Sequence, residues 1–411
     1  MKTVSVREAA DYIVAHVPLQ PPLRIPLGDV VGHVLAEDVL APFPLPRWTN
    51  AAMDGYAVRS DDVRGASRDT PVRLTVTMGL AAGDFPNRPI GAGQAARIYT
   101  GAPVPIGADS VIRQEDTDPD GDSVMIRDAR DIGANVRVAG RDLAAGAVAV
   151  AAGTMITPRH VALLAALGVA NPVAHRSPRV AILSTGDEIV PLDHPEEIAG
   201  GRRLADVNGP TLAALVRDAG GIAVPLGIAR DDRDDVARLV TASSDWDMLI
   251  SAGGASVGDH DHVRPVMSAL GATIGFERVR VRPGGPTAFA VLPNDRPWLA
   301  LPGNPVSAVV TFELFGRAAI RAMAGDRSPH ARKIRATAGE ALHPDRLLEQ
   351  YLRCRFEWRD GATAPVATTT GPQGSGVLTS IARADGLLVV PPGGAVVAAG
   401  TLLEAIAFDR G

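Results

Sequence analysis

The stretch Arg179-Val-Ala-Ile-Leu-Ser-Thr-Gly-Asp-Glu188 decides the fold of the largest part of this chain. Arg179–Leu183 reads as a buried strand, and it runs straight into a polar, glycine-containing turn. The same pattern recurs twice. Asp247–Ser251 leads into Ala252-Gly253-Gly254-Ala255-Ser256-Val257-Gly258-Asp259, and Trp298–Leu301 leads into Pro302-Gly303-Asn304-Pro305. Helical patterns separate these strands. One starts at Asn208 as a cap and stops at Gly220-Gly221; others cover Asp232–Ser243, Val263–Leu270 and Pro305–Met323, and Ile222–Leu226 adds a further strand. Strand and helix alternation of this kind predicts a doubly wound parallel α/β domain over 179–328.

The flanks read differently. Residues 5–17 form an amphipathic helix pattern, with Ser5 and Glu8 at capping-box spacing and Val6, Ala10, Ile13 and Val17 near one face. Pro42, Pro44 and Pro46 then favour an extended crossing. Short β-rich runs (Val72–Met78, Ala95–Thr100, Ser110–Gln114, Ser123–Arg127) predict a small inserted β domain over 48–141. Residues 142–178 return to helix, with Thr157 as cap, Pro158 at the first helical position and Gly168 as the stop. Together with 1–47 they form a linking region. From 329 to 411 strand propensity returns, with Asp385-Gly386 and Gly393-Gly394 as hairpin signals, so a C-terminal β-barrel-like domain is predicted.

Composition narrows the function. The 411 residues are 46% apolar and 21% charged, with a net charge of −5. This is a globular chain without the basic field that nucleic acid or an anionic membrane requires, so neither is expected as a partner. Cys354 is the only cysteine, which excludes an internal disulfide and a cysteine zinc cluster. Its expected role is a small packing residue. No apolar run reaches the roughly 20 residues of a membrane span. Glu8 and Asp11 do not suit a signal peptide, and a cytoplasmic protein is expected.

In an open parallel sheet all three loops emerge at the carboxyl edge, where ligands bind. Glycines there expose backbone N–H groups to phosphate oxygens. A helix beginning at Asn304 points its N-terminus at the same place. Glu188, Asp231, Asp259 and Asp261 supply carboxylates suited to Mg²⁺. Each piece alone has a simpler reading as a turn or a cap; their convergence predicts a site for a nucleotide or phosphorylated ligand. No lysine follows these glycines as in a Walker A loop, and no G-x-G-x-x-G opens a helix. Gly254–Gly258 matches the G-x-S-x-G elbow of serine hydrolases, but Asp259-His260-Asp261-His262 is too polar for the helical turn that should follow. His260 and His262 lack an identifiable third metal ligand.

Six motifs in order resemble the MoeA family, the molybdopterin molybdenumtransferases related to the gephyrin E domain. They are Asn50-Ala-Ala-Met-Asp54-Gly-Tyr-Ala57, Thr100-Gly-Ala-Pro-Val-Pro105, Ser184-Thr-Gly-Asp-Glu188, Gly253–Asp259, Leu301-Pro-Gly-Asn-Pro-Val-Ser307 and Gln373-Gly-Ser375. The resemblance implies insertion of molybdenum from molybdate into adenylylated molybdopterin, with release of AMP in a Mg²⁺-assisted step. It implies an elongated homodimer whose cleft lies between the α/β domain of one subunit and the C-terminal domain of the other. Partners would include the molybdopterin adenylyltransferase and recipient molybdoenzymes. Asp54, Thr100, Glu188, Asp231 and Asp261 would be catalytic, the last three around Mg²⁺. Gly253, Gly254, Ser256, Gly258, Asn304 and Ser307 would hold phosphate, and Arg278, Arg282, Arg353 and Ser375 the molybdate or another oxyanion. The family's Lys-x-x-x-Lys-Pro-Gly-Lys-Pro reads Arg278-Val-Arg-Val-Arg282-Pro-Gly-Gly285-Pro286 here. Two cations survive as arginine, in a chain whose only lysines are Lys2 and Lys333, and Gly285 removes the third. Ala51 and Ala252 stand where serine is frequent. The alternative function is a non-catalytic paralogue that binds molybdopterin or acts as a scaffold.

Overall fold

The computed structural model describes residues 2–253 and 263–408. Their contacts divide them into two compact units. One draws on Met1–Glu37, Gly153–Thr157 and Asn171–Gly411, the other on Asp38–Ala152 and Pro158–Ala170.

The larger unit is built on a six-stranded sheet in the order Ile222–Ala229, Arg179–Thr185, Met248–Ala252, Arg296–Leu301, Ala288–Leu292, Thr273–Phe276. The first four strands are parallel. The last two are antiparallel, so the predicted parallel sheet carries an antiparallel edge. Alternation along the strands feeds two cores. Val180, Ile182, Met248, Ile250 and Leu299 face the helices Asn208–Asp218 and Pro305–Thr311. Ala181, Leu183, Leu249 and Trp298 face Arg233–Thr241 and Val263–Ala269. Helices therefore cover both faces, the doubly wound arrangement. The N-terminal helix, Val6–Ala15, has the predicted capping box and adds Ala9 and Ile13 to the first core. The predicted helix Pro305–Met323 is interrupted by a π turn at Phe312–Gly316, which buries Glu313 and leads to Arg317–Met323.

A second six-stranded sheet in this unit closes on itself. The strands Glu349–Glu357, Val366–Thr369, Lys333–Ala338, Leu402–Ala407 and Gly386–Val390 pair in turn, and Glu349–Glu357 also pairs with Gly386–Val390. The result is a five-stranded barrel with Val281–Arg282 added at one side. Cys354 lies in its interior with Ala336, Ala367, Leu388 and Ala405, as a packing residue. Burial pushes its thiol up to about 12. Asp385-Gly386 is not a hairpin turn: Gly386 opens a strand, and the Asp385 carboxylate accepts from the Phe356 N–H. Gly393-Gly394 lies in the connection between the antiparallel strands Gly386–Val390 and Leu402–Ala407.

The smaller unit holds a six-stranded sheet in the order Ser110–Arg113, Gly55–Val58, Gln94–Ile98, Val72–Leu80, Ser123–Ile126, Thr117–Asp120. Side chains alternate between two cores: Tyr56, Val58 and Ile112 on one face, Ala57, Ala96 and Val111 on the other. Pro119 sits in the edge strand, where a missing N–H breaks no ladder. The helix in the second linking segment is Pro158–Ala166, shorter than the predicted return to helix. Among the described residues no helix is long and apolar enough to cross a membrane.

Candidate active site

Three parallel strands end side by side at Thr185, Ala252 and Leu301, and the loops that follow meet backbone to backbone. Gly253 has φ +103°, and a Cβ there would lie 2.5 Å from Thr185 Oγ1 and 2.6 Å from its carbonyl oxygen. A Cβ on Gly303 would lie 3.2 Å from Gly253 Cα. Only glycine permits this approach at 253. The junction leaves Thr185 Oγ1 buried with no hydrogen-bond partner among the described residues. An orphaned hydroxyl costs roughly 1–3 kcal/mol, which a ligand oxygen would offset.

The junction opens into a cleft of about 820 Å³, within the range of roughly 300–1,000 Å³ typical of small-molecule sites. Glu188 and Asp231 stand on its wall, as do Asn304 and Gly253. Asp231 and Asp187 are cross-tied: each backbone N–H donates to the other's carboxylate, at 3.4 and 3.2 Å. Asp206, also on the wall, is committed to Ser184 Oγ and the Gly209 N–H, both at 2.9 Å. Among the described residues Glu188 is the one carboxylate on this wall whose side chain makes no hydrogen bond, and Asp231 accepts a single long one on Oδ2. The lining, among the described residues, holds oxygen donors and no thiol or imidazole, a donor set for a hard cation. Among the described residues no group of three His, Cys, Asp or Glu is placed to hold a metal.

Asn208 does not cap its helix. It is the first helical residue, and its side-chain amide instead donates to Gly303 O at 2.8 Å, locking the floor of the cleft. Asp232 does cap, accepting from the N–H groups of Asp234 and Asp235. Asn304 precedes the helix Pro305–Thr311 without a side-chain cap, and the Val306 N–H donates to Ser375 O at 3.3 Å. That bond seats the barrel loop against the cleft, and Gly376 and Leu378 join the wall. These two residues belong to the same chain as the rest of the wall.

Three family models match this chain: MoeA N-terminal region (domain I and II) over residues 4–168, probable molybdopterin binding domain over 181–322, and MoeA C-terminal region (domain IV) over 335–408. A molybdopterin molybdenumtransferase of Nostoc sp. is 36% identical over 406 residues, covering 96% of this chain and 92% of that one. This chain belongs to the MoeA family. Molybdopterin molybdenumtransferase 2 of Mycobacterium tuberculosis is 37% identical, with 93% and 94% covered. The crystal structure of a molybdopterin biosynthesis MoeA protein from Pyrococcus horikoshii matches with a TM-score of 0.83 at 26% identity, covering 99% of this chain and all of that one.

Of the residues predicted for this MoeA chain, Glu188, Asp231, Gly253 and Asn304 meet on the cleft wall. Gly254, Ser256, Gly258 and Asp261 lie outside the described residues, with Asp259, His260 and His262. Ser307 is buried in the helix behind Asn304, and Ser375 is half-buried in the loop at its start. Arg282 is exposed and faces Asp345 at 3.5 Å. Arg278 is half-buried, with Nη2 3.9 Å from where a Gly285 Cβ would be. Arg353 is fully buried. Its Nε donates to Ser380 Oγ at 3.1 Å and its Nη2 to Gly374 O at 3.0 Å, while its backbone N–H donates to Gln373 Oε1. It thus holds the 373–380 loop from beneath. Burial, with no partner carboxylate among the described residues, lowers its pKa to about 10, so it remains charged at neutral pH. Asp54 and Thr100 belong to the smaller unit and are joined directly. The Thr100 N–H and hydroxyl both donate to Asp54 Oδ1, at 2.8 and 2.7 Å, and hold that carboxyl below its ordinary pKa. Sequence reasoning missed Thr185 and misread Asn208. Thr185 stood inside a quoted motif, and nothing local marked its hydroxyl as unpaired.

Proposed function

We propose that this chain is a molybdopterin molybdenumtransferase. Its substrates are adenylylated molybdopterin and molybdate; water adds across the pyrophosphate link, AMP leaves from the molybdopterin phosphate, and the dithiolene sulfurs displace oxygen from molybdate, which departs as water. The observation that carries this reading is the glycine junction of Thr185, Gly253 and Gly303 opening beneath Glu188 and Asp231. Backbone N–H groups and the Thr185 hydroxyl suit pyrophosphate oxygens, and the helix N-terminus at Asn304 favours their charge. Glu188 and Asp231, with Asp261, would hold Mg²⁺, which when bound neutralises charge on the pyrophosphate. Thr100 keeps Asp54 ionised, and in our reading the pair belongs to the catalytic set. Arg278 and Ser375 are assigned to oxyanion binding, with Arg353 positioning the loop that carries Ser375. We further propose a cytoplasmic homodimer that receives substrate from an adenylyltransferase and passes product to molybdoenzymes. Nothing in the cleft or the comparisons favours the non-catalytic alternative.

The test is AMP release from adenylylated molybdopterin and Mg²⁺, with and without molybdate. Molybdate-dependent release is expected, and it should be lost in Glu188→Gln, Asp231→Asn and Asp261→Ala while each variant still folds. Substrate binding without release under every condition would refute the transferase.

A further inference from the structure

The motif Gln373-Gly-Ser375 begins with a side chain that completes a strand pairing. Val366–Thr369 runs antiparallel to Glu349–Glu357, with Thr369 opposite Cys354. One residue on, the Thr370 N–H still donates to Arg353 O at 3.0 Å. In an antiparallel ladder the partner residue returns a second bond from its own N–H. Here the chain turns away at Gly371, whose φ is +103°. Arg353 is fully buried, so its N–H needs an acceptor from the protein. Gln373 supplies it: Oε1 accepts from the Arg353 N–H at 2.8 Å, while Nε2 donates to Arg353 O at 3.2 Å and to Gly371 O at 3.0 Å. The side-chain amide thus meets both backbone groups of Arg353, as a strand would, and closes the turn as well.

The next two residues are pinned in succession. Gly374 O accepts from Arg353 Nη2 at 3.0 Å, and Ser375 O accepts from the Val306 N–H at 3.3 Å. These bonds fix backbone and leave the Ser375 hydroxyl with no hydrogen bond among the described residues. Ser375 is half-buried and directly precedes Gly376 on the cleft wall.

Resting on the transferase reading, we propose that Gln373 is a positioning residue for molybdate binding, its amide standing in for a strand partner of Arg353 so that the Ser375 hydroxyl is presented at the cleft. Gln373 touches no substrate and acts through Ser375.

The test reads molybdate in two ways: the concentration giving half-maximal AMP release, and calorimetric titration of the whole protein with molybdate. Gln373→Met keeps the length of the side chain and removes the amide. It should raise the molybdate requirement about tenfold, the loss of one hydrogen bond to an anion, and change kcat at saturating molybdate by less than about twofold. Ser375→Ala should do the same, and the double variant should be no worse than either single one. Gln373→Asn, whose shorter arm cannot span to Arg353, carries the same expectation should the methionine variant not fold. A molybdate requirement unchanged in either single variant, additive effects in the double variant, or a fall in kcat alone would overturn the proposal, because loosening of the loop as such does not act through the Ser375 hydroxyl. AMP release by the unaltered protein separates the two ideas. Release together with a normal molybdate requirement in Gln373→Met removes the Gln373 assignment alone. Molybdate binding that both single variants weaken alike, without any release, removes the transferase alone. Failure of the unaltered protein either to bind or to use molybdate removes both.

Discussion

Gly285→Lys is the most informative single change, because the structure separates its steric consequences from its electrostatic ones. A Cβ at 285 would meet Val281 O at 3.6 Å, Val279 O at 3.7 Å and Arg278 Nη2 at 3.9 Å, all ordinary contacts. The φ of Gly285 is not left-handed, and its carbonyl already accepts from the Val279 N–H at 2.9 Å, a bond that any residue preserves. The fold should therefore tolerate lysine within about 0.5 kcal/mol, as at most surface sites. A new charged hydrogen bond to molybdate is worth about 1.5–3 kcal/mol. Against this stands repulsion from Arg278. A lysine ammonium reaching ~6 Å from that guanidinium would lose about 0.7–1.4 kcal/mol at an effective dielectric of roughly 40–80, suited to a half-exposed pair. The balance is a gain of about 1 kcal/mol, or roughly fivefold.

The assay is the molybdate concentration giving half-maximal AMP release. Gly285→Lys should lower it about fivefold with the melting temperature unchanged. A folded variant with an unchanged molybdate requirement would refute the idea that the cation is merely missing. Arg278 would then be the compensating group, and Arg278→Ala combined with Gly285→Lys should recover what Arg278→Ala loses. Arg282 is a poorer candidate for that role, since it is exposed and engaged with Asp345.

Three further outcomes follow from the described contacts. Because Thr100 holds Asp54 below the usual carboxyl value, the pair contributes above that value and is lost as pH falls through the lower one in the folded protein. Thr100→Val keeps the backbone bond and removes the hydroxyl, so carboxyl NMR should show Asp54 titrating higher but not fully restored; an unmoved titration would refute the assignment. Arg353→Met removes bonds to Gly374 and Ser380 and also an unpaired buried charge, two opposing effects of about 1–3 kcal/mol each, so global stability should change little. Hydrogen exchange over 374–380 should nevertheless rise; unchanged protection would show that Arg353 does not hold the loop. Arg317→Met strands the buried Glu313 carboxylate, 2.7 Å from Arg317 Nε, and should cost about 3–5 kcal/mol in urea unfolding. Adding Glu313→Gln should return much of that loss.

What was legible in the sequence is what depends on neighbours along the chain. The Ser5–Glu8 capping box, the apolar runs of the sheet and the glycine turns after them each declare themselves within a few residues. Barrel closure does not, because Glu349–Glu357 meets Gly386–Val390 across an intervening strand and helix and no local signal fixes that pairing. The antiparallel strands Thr273–Phe276 and Ala288–Leu292 were hidden for a related reason: the arginine-rich segment between them breaks the alternation. Asn208 was misread because a cap and a cross-link use the same amide, and only the position of Gly303 decides between them.

The arginines carry the same lesson into the site. Arg278, Arg280, Arg282 and Arg353 are equivalent as letters, since all are cations near oxyanion motifs. Tertiary contacts sort them. Arg280 reaches Glu8 at 3.5 Å, Arg282 reaches Asp345, and Arg353 is spent beneath a loop. Arg278 alone of the four has a side chain with no ion pair or hydrogen bond among the described residues, and its Nη2 lies 3.9 Å from where a Gly285 Cβ would be. Side chains at 278 and 285 are therefore close enough to couple. If so, the two positions should be non-additive: Arg278→Lys should weaken molybdate use when 285 is glycine and be nearly neutral when 285 is lysine. Additive effects in that cycle would show that the two changes are independent.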